Sequence, residues 1–542
     1  MSALPVIQRE LRVASRQRST WQLRWAFVAA ALLALAIGRF SPSTPPQQYG
    51  QMMLASLARC AFALSLLTGP FLTADCLSVE KREGTLGLLF LTRLSGSGIV
   101  IGKMAGHSLR VVCAWLAIFP CLFLPILHGG VLWAEVVRLM LVLLCGMLLS
   151  LAVGVFWSTV ATEARTSVLA TTITLLLVVF LPWLPAYARA TFLTGRFILD
   201  GWALISPMTT VAYAFESSFT SSGPGVLGSG ASLFWCSLTL SCLVSVALVF
   251  ISGLLLPWTW RKSELTMRGG GSLHSLVRPT SSVLTYDWLP IGRAVSPARW
   301  LAMRRVKEDW WMNLLRWLLI LFFCVMLVHA FAVKQFEQGL IGACGLAYGL
   351  HLITRIQAIL SGTRRLYEAR RTGTLEELLV TPVTEREVIM AHHESVFRSL
   401  RIGCWTLLVI NIVLQVALTL GSTQSTRRDW VDVWFLMTAL CGGGLLVTLS
   451  DFRTLRWLAL REALRARTQI KAAGRVFWLL IGVPWIIFAV TYLVAAQFRD
   501  TSALALFGWL WIGGCLTYNH LLEGTVRLWL QPGLRFRIAE TA

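Results

Sequence analysis

Apolar runs of about 20 residues recur along the whole chain, separated by charged residues or by Gly and Pro. A helical run of that length matches the thickness of the hydrocarbon core of a bilayer. We therefore predict an all-α polytopic membrane protein with about 12 transmembrane helices. The predicted spans are 22–39, 51–74, 104–127, 132–160, 166–188, 232–258, 313–333, 338–360, 396–420, 430–450, 476–496 and 502–522.

The charged stretch from Glu80 to Met104 has a partner later in the chain. Residues 84–103 overlay residues 373–392 without gaps, at an offset of 289 residues, with identical Gly, Thr, Leu, Leu and Thr at five positions. Both stretches lie between the second and third predicted spans of their half. Residues 5–25 and 297–317 are also similar, at an offset of 292 residues, and each precedes a first span. Tandem duplication of a six-span unit explains both matches.

The predicted organisation is a first six-span domain at 1–260, a cytoplasmic linker at 261–297 and a second six-span domain at 298–542. The linker contains three consecutive glycines and several prolines, and it is the longest polar stretch. Because six is an even number of spans, the two domains should have parallel topology.

The formal charge of +22 is concentrated in alternate loops. The positive-inside rule places such loops in the cytoplasm, so both termini should be cytoplasmic. This distribution explains the basicity without a nucleic-acid ligand, for which the chain has no recognition motif. The expected environment is the lipid bilayer of the cell membrane. The basic groups lie at the amino terminus and at 81–93, 261–305 and 453–475.

Each repeated stretch is predicted to form a helical hairpin at the membrane surface. The pairs Thr374 with Glu377 and Thr384 with Glu387 have the spacing of capping boxes, in which hydroxyl and carboxylate satisfy free amides at a helix start. Apolar residues at helical spacing share one face in each copy. These are Leu86, Leu89 and Phe90, and Leu375, Leu378 and Leu379.

Gly102 and Lys103 suggest a phosphate-binding loop, which requires the sequence G-x-x-x-x-G-K-[ST]. Ser97 stands where the first glycine is needed, and Met104 follows the lysine in place of Ser or Thr. The motif therefore fails at two obligatory positions. We expect that this chain is not an ATPase and has no catalytic residues of its own.

The two copies resemble the E-x-x-G-T-L-x-x-L-L-x-T-P segment of permease subunits of ABC transporters of the ABC-2 type. The match is closest in "RRTGTLEELLVTPVTEREVI" of the second half, whereas the first copy has Arg93 where proline is usual. Such permeases ordinarily work as dimers of six-span units, so the resemblance implies a dimer fused in one chain. It also implies export of an unidentified substrate, powered by ATP and magnesium in a separate ATPase subunit, expected in two copies.

In that family the repeated stretch is the coupling helix, which docks into a groove of the ATPase subunit. The contact residues carried over by position are Glu80, Glu83, Gly84, Thr85 and Leu86 in the first half, and Glu368, Gly373, Thr374, Leu375 and Glu376 in the second.

Several polar residues interrupt the apolar runs. Arg59 lies near the middle of the second span, where a charge is costly unless it faces protein or water, so a place on the transport pathway is a hypothesis and a structural contact is its alternative. His351, Asn411 and Gln415 are expected to make hydrogen bonds between helices. His392 and His393 point apart on a helix, and the twelve cysteines form no C-x-x-C pair, so no metal site is expected.

Two further segments depart from simple loops. Residues 189–231, amphipathic at Trp202 to Phe215, are either a short re-entrant or surface helix or a plain outer loop. Residues 452–475 alternate leucine with arginine, as in a basic amphipathic helix on the cytoplasmic surface.

Two other function classes remain open. An ion-coupled secondary transporter with parallel repeats would need paired carboxylates in the membrane, and the spans offer few besides Glu135. A membrane scaffold that transports nothing is the third possibility.

Overall fold

The structure is a computed structural model. It describes residues 8, 12, 18–39, 48–91, 95–183, 201–221, 229–269, 310–332, 336–371, 373–424, 429–466, 469–495, 501–531 and 533. The predicted linker lies largely outside this part of the chain. So does most of the two similar segments that precede each first span.

The chain divides into two compact units, residues 1–286 and 287–542. Unit 1 contains ten α-helices in its described residues, and a π-helical turn at Gly69–Thr73 extends the second of them. They are α1 (Arg18–Arg39), α2 (Tyr49–Thr68), α3 (Ser78–Glu83), α4 (Thr85–Leu91), α5 (Gly96–Leu127), α6 (Trp133–Val160), α7 (Ala164–Phe180), α8 (Pro207–Ala212), α9 (Glu216–Phe219) and α10 (Gly230–Gly269).

Unit 2 contains eight α-helices in its described residues, with a π-helical turn at Trp478–Gly482. They are α11 (Trp310–Ala332), α12 (Phe336–Arg371), α13 (Thr374–Val380), α14 (Glu385–Gln424), α15 (Asp429–Arg465), α16 (Gln469–Phe477), α17 (Val483–Ala495) and α18 (Thr501–Leu530).

The all-α fold class is confirmed. In the part of the chain that the structure describes, nine helices are long and apolar enough to cross a membrane. They coincide in order with nine of the predicted spans. The other three predicted spans, 22–39, 430–450 and 502–522, fall within α1, α15 and α18.

Small residues bring α2 and α6 into close contact in unit 1. Gly69 donates its amide to Ser150 Oγ at 2.9 Å, and Thr73 Oγ1 donates to the carbonyl of Leu151 at 3.1 Å. A Cβ atom added to Gly154 would lie 2.1 Å from Thr73 Oγ1 and 2.9 Å from the carbonyl oxygen of Gly69. Glycine is therefore required at position 154, as is common where helices pack closely in membranes.

The prediction of a separate surface helix at 452–475 is wrong. Helix α15 continues unbroken from the span to Arg465. The part of α15 that follows the predicted span buries Leu455, Leu458 and Leu464 against α12, α14 and α18. The leucine stripe is amphipathic, as predicted, but it packs against protein because neighbouring helices extend alongside it.

The described part of the outer segment, 201–221, forms short helices packed into unit 1. Ser206 Oγ donates to the carbonyl of Val179 at 2.6 Å, and Ser237 Oγ donates to the carbonyl of Ser206 at 3.1 Å. Arg138 of α6 binds the later part of the segment, because its Nε donates to the carbonyl of Ala214 at 2.9 Å. Of the two alternatives, the short helix is present and the plain loop is not.

The contact at Gly154 gives a direct test of the packing. Substitution Gly154→Ala should destabilise unit 1 by about 1–3 kcal/mol, because the added methyl group overpacks the contact between α2 and α6. The matched control is Gly514→Ala in α18, where an added Cβ meets no atom within 4 Å. Thermal unfolding in detergent should show a lower Tm for Gly154→Ala only. Equal Tm values for the two variants would contradict this packing.

Candidate functional site

The repeated stretches form the same turn in both units, which we call the first elbow (77–91) and the second elbow (366–380). Each consists of a helix end, a glycine and a short helix. Gly84 has φ of 71° and Gly373 has φ of 73°, a left-handed conformation that side chains other than glycine rarely adopt. The amide of each glycine donates to the carbonyl three residues earlier. The glycine therefore ends one helix and lets the chain turn into the next.

The threonine that follows each glycine closes the turn. Thr85 Oγ1 donates to the carbonyl of Glu80 at 3.5 Å, and Thr374 Oγ1 donates to the carbonyl of Ala369 at 3.1 Å. Carbonyls in the last turn of a helix have no intrahelical partner, so a hydroxyl at this position satisfies one of them. The Gly-Thr identity between the two copies therefore has a geometric cause.

A leucine anchors each elbow inside its own unit. Leu86 is fully buried with Leu77, and Leu375 is buried with Leu366 at the matching positions. Leu86 and Leu375 were carried over as contact residues for a partner. In this structure they face the interior, so neither provides outer surface.

A basic side chain, Lys81 or Arg370, connects each elbow to a neighbouring helix. Lys81 Nζ donates to the carbonyl of Thr159, and an Arg370 guanidinium nitrogen donates to the carbonyl of Leu464. Both acceptors lie one residue before the end of their helices, α6 and α15. A helix end of this kind carries partial negative charge and unpaired carbonyls, which favour a cation. The sequence analysis missed these two residues, although both copies have a basic residue at this position.

The remaining predicted contact residues differ in how far they reach the surface. Glu80 forms an ion pair with Lys103 at 2.6 Å and is largely covered, whereas Glu83 and Gly84 are exposed. Glu368 pairs with Arg364 of its own helix at 2.6 Å. Exposed or half-buried positions in the elbows are Thr85, Gly373, Thr374 and Glu376.

One of the two predicted capping boxes is confirmed. Thr384 Oγ1 accepts the amide of Glu387 at 3.3 Å, and the Glu387 carboxylate accepts the amide of Thr384 at 3.4 Å. The box at Thr374 and Glu377 is wrong, because Gly373 is the residue before α13. Thr374 instead lies inside that helix and uses its hydroxyl to close the elbow.

His392 and His393 are buried in α14 next to the second elbow. Burial, helped by the neighbouring His393 and Arg365, lowers the pKa of His392 to about 3. Burial also lowers the pKa of His393 to about 4. Both rings are therefore neutral near pH 7, and His393 packs edge-on against Trp457. The described residues contain no group of three or more His, Cys, Asp and Glu that could hold a metal ion.

Unit 2 contains a buried polar network that links four helices. Arg355 Nε lies 2.9 Å from Asp451 Oδ2, and both side chains are buried. Asp451 Oδ1 accepts from Asn519 at 2.6 Å, and Arg355 donates to Thr448 Oγ1 at 2.7 Å. The predicted hydrogen bonding of His351 is present, since its Nδ1 lies 2.8 Å from Thr448 Oγ1.

The same network continues to α14, where Asn411 Nδ2 donates to His351 Nε2 at 2.9 Å. The sequence analysis predicted interhelical hydrogen bonds for both residues but missed the ion pair. The available signal was an arginine inside span 338–360, near its end, and an aspartate directly after span 430–450.

Unit 1 has uncharged residues at the matching positions. The two contacts described above align Lys81 with Arg370 and Thr159 with Leu464. The same offsets place Leu66 at the position of Arg355 and Gly146 at that of Asp451. A Cβ atom at Gly146 would meet Ser65 Oγ at 3.2 Å and the Phe62 ring at 3.4 Å. Because unit 1 builds the same helices without a charge pair, the fold itself does not require one.

Arg59 is exposed on α2, on the side opposite the buried Leu57 and Ala61. It therefore lies on the outer face of a candidate membrane span. No protein-family model and no curated protein matches the chain.

The ion pair in unit 2 gives a stability test. Asp451→Ala should cost about 3–5 kcal/mol, because it leaves Arg355 buried and uncompensated. Adding Arg355→Leu, the residue of unit 1, should recover most of that loss. Thermal unfolding in detergent measures both. A double variant as unstable as the sum of the two single variants would show that the two side chains are not coupled, which would contradict the ion pair.

Proposed function

We propose that the chain is the membrane-spanning permease subunit of an ATP-binding cassette transporter of the ABC-2 type. It exports an unidentified substrate using ATP hydrolysed by separate nucleotide-binding subunits. The observation that carries the proposal is the elbow, which has the same glycine, threonine, leucine and cation contacts in both units. Two such elements suit a chain that receives force from a pair of partner subunits.

The contacts of each elbow suit force transmission. The leucine fixes the elbow in its unit, and the cation connects it to the end of a helix that continues into a candidate span. Helix α12 is unbroken over 36 residues, about 54 Å at the usual helical rise. A displacement at the second elbow would therefore reach Arg355 and the polar network through one rigid element.

Charge supports the orientation of the elbows. Lys81 and Arg82 lie in the first elbow and Arg370 and Arg371 in the second, so the positive-inside rule favours the cytoplasmic side, where an ATPase partner would meet them. ATP and magnesium would be bound by that partner, since the sequence lacks a P-loop. We expect two ATPase subunits, one for each elbow, and a location in the cell membrane with both termini cytoplasmic.

Arg59 has a place in this proposal. An exposed arginine inside a span is costly against lipid, so the proposal assigns it to the water-accessible transport pathway. There Arg59 would attract anionic groups.

An ion-coupled secondary transporter is the second candidate. The buried Asp451 favours it, because carboxylates within spans mark ion and proton pathways in such proteins. The elbows, however, have no function in that mechanism.

The backbone of the elbows provides the test. The double variant Gly84→Val and Gly373→Val should abolish at least about 90% of the stimulation of the co-purified ATPase, because a β-branched residue in a left-handed turn strains it by 1 kcal/mol or more at each site. The control is Gly345→Val in α12, an exposed helical position where an added Cβ meets no atom within 4 Å. ATP hydrolysis by the complex in lipid nanodiscs measures the effect.

Two results would contradict the proposal. One is an ATPase that still assembles and is stimulated as strongly with both elbows altered as with the unaltered chain. The other is a native complex that contains no P-loop ATPase.

A further inference from the structure

The two elbows share their buried residues and differ in their outward residues. At the offset of 289 residues, Leu77 matches Leu366 and Leu86 matches Leu375, and all four are buried. The next two positions are Gly87 and Leu88 in the first elbow but Glu376 and Glu377 in the second. The duplication therefore kept the scaffold and changed the surface.

The outer face of α4, the short helix of the first elbow, is apolar. Leu88 is 64% exposed and Leu91 is 82% exposed, and α4 contains no charged residue. The orientation is fixed by Phe90, which stacks on Trp260 of α10 at a centroid distance of 4.9 Å. Leu88 and Leu91 are three residues apart, so they lie side by side on the face of α4 that the unit does not cover.

The outer face of α13, the short helix of the second elbow, is acidic. Glu376 and Glu377 are both exposed in the first turn of α13, and Val380 at its end is 89% exposed. Leu375 and Leu379 hold the opposite face against the unit. The two short helices thus differ by two negative charges at matched positions.

One groove would fit these two faces badly. Carboxylates that enter an apolar groove lose hydration without gaining a partner, whereas leucines that enter a basic groove leave its cations unpaired. Two identical ATPase subunits would present the same groove twice. The proposed function therefore implies two different grooves.

We propose that the ATPase partner consists of two non-identical subunits. One carries an apolar groove that receives the first elbow at Leu88 and Leu91. The other carries a groove lined with Lys or Arg that receives the second elbow at Glu376 and Glu377. This inference rests on the proposed function and specifies its partner.

The first part of the test is the composition of the complex. The full chain, purified from its own membranes in a mild detergent, is analysed by native mass spectrometry with sequencing of each subunit. The expected result is two different P-loop ATPases, each present once per chain. Two copies of a single ATPase would overturn the inference and leave the proposed function standing, whereas a complex without any P-loop ATPase would contradict the proposed function itself.

The second part assigns each subunit to an elbow. Leu88→Glu should reduce retention of one ATPase about tenfold or more and leave the other bound, because it places a carboxylate in an apolar groove. The pair Glu376→Gly and Glu377→Leu, which installs the residues of the first elbow, should release only the other subunit. Leu127→Glu is the control, since Leu127 is 81% exposed at the opposite end of α5 from the first elbow.

Two outcomes of the second part would overturn the inference. If both variants release the same subunit, the elbows do not discriminate between partners. If Leu88→Glu releases neither subunit, the apolar face meets lipid headgroups instead of protein.

Discussion

The contact between a basic side chain and the last turn of a long helix connects each elbow to a second helix of its unit. Lys81 reaches the carbonyl of Thr159, and Arg370 reaches that of Leu464. These acceptors carry the partial negative charge of a helix end, and burial of Lys81 strengthens the attraction in the first elbow. Without this contact an elbow would be held by its apolar packing but not connected to the end of the other helix. With it, the end of the second span and the end of the fourth move together.

The two units share their elbows but differ elsewhere. Unit 2 has a charged pair in its interior, Arg355 with Asp451, while unit 1 has the uncharged Leu66 and Gly146 at the matching positions. Unit 1 in turn carries the packed outer segment held by Arg138. A buried ion pair adds little stability compared with apolar packing of similar volume, so its presence in one copy alone favours a functional role in unit 2. The two units therefore have similar elbows and different interiors.

The sequence predicted the helical class and the repeated Gly-Thr-Leu stretches, because hydrophobic length and a Gly-Thr-Leu identity are local properties. The left-handed turns at Gly84 and Gly373 were not predicted. It also indicated hydrogen bonding at His351 and Asn411, since polar groups in spans need partners. It did not predict that Leu86 and Leu375 are buried, because helical spacing shows that residues share a face but not which face is covered. The unbroken course of α15 was missed for a similar reason: its leucine stripe fits a membrane surface or a neighbouring helix equally well, and only the packing partners decide. The Lys81 and Arg370 contacts join residues 78 and 94 positions apart, which no local pattern reveals.

The central claim is that an elbow is the contact point for an ATPase. Its most direct test is photo-crosslinking in native membranes, with a benzophenone amino acid placed at Glu377, which is exposed and anchors nothing within the unit. Our account predicts a crosslink to a polypeptide that contains a P-loop, and loss of that crosslink when ATPase subunits are removed by salt or urea washing. Crosslinks to lipid alone, or to membrane proteins that lack a P-loop, would contradict it.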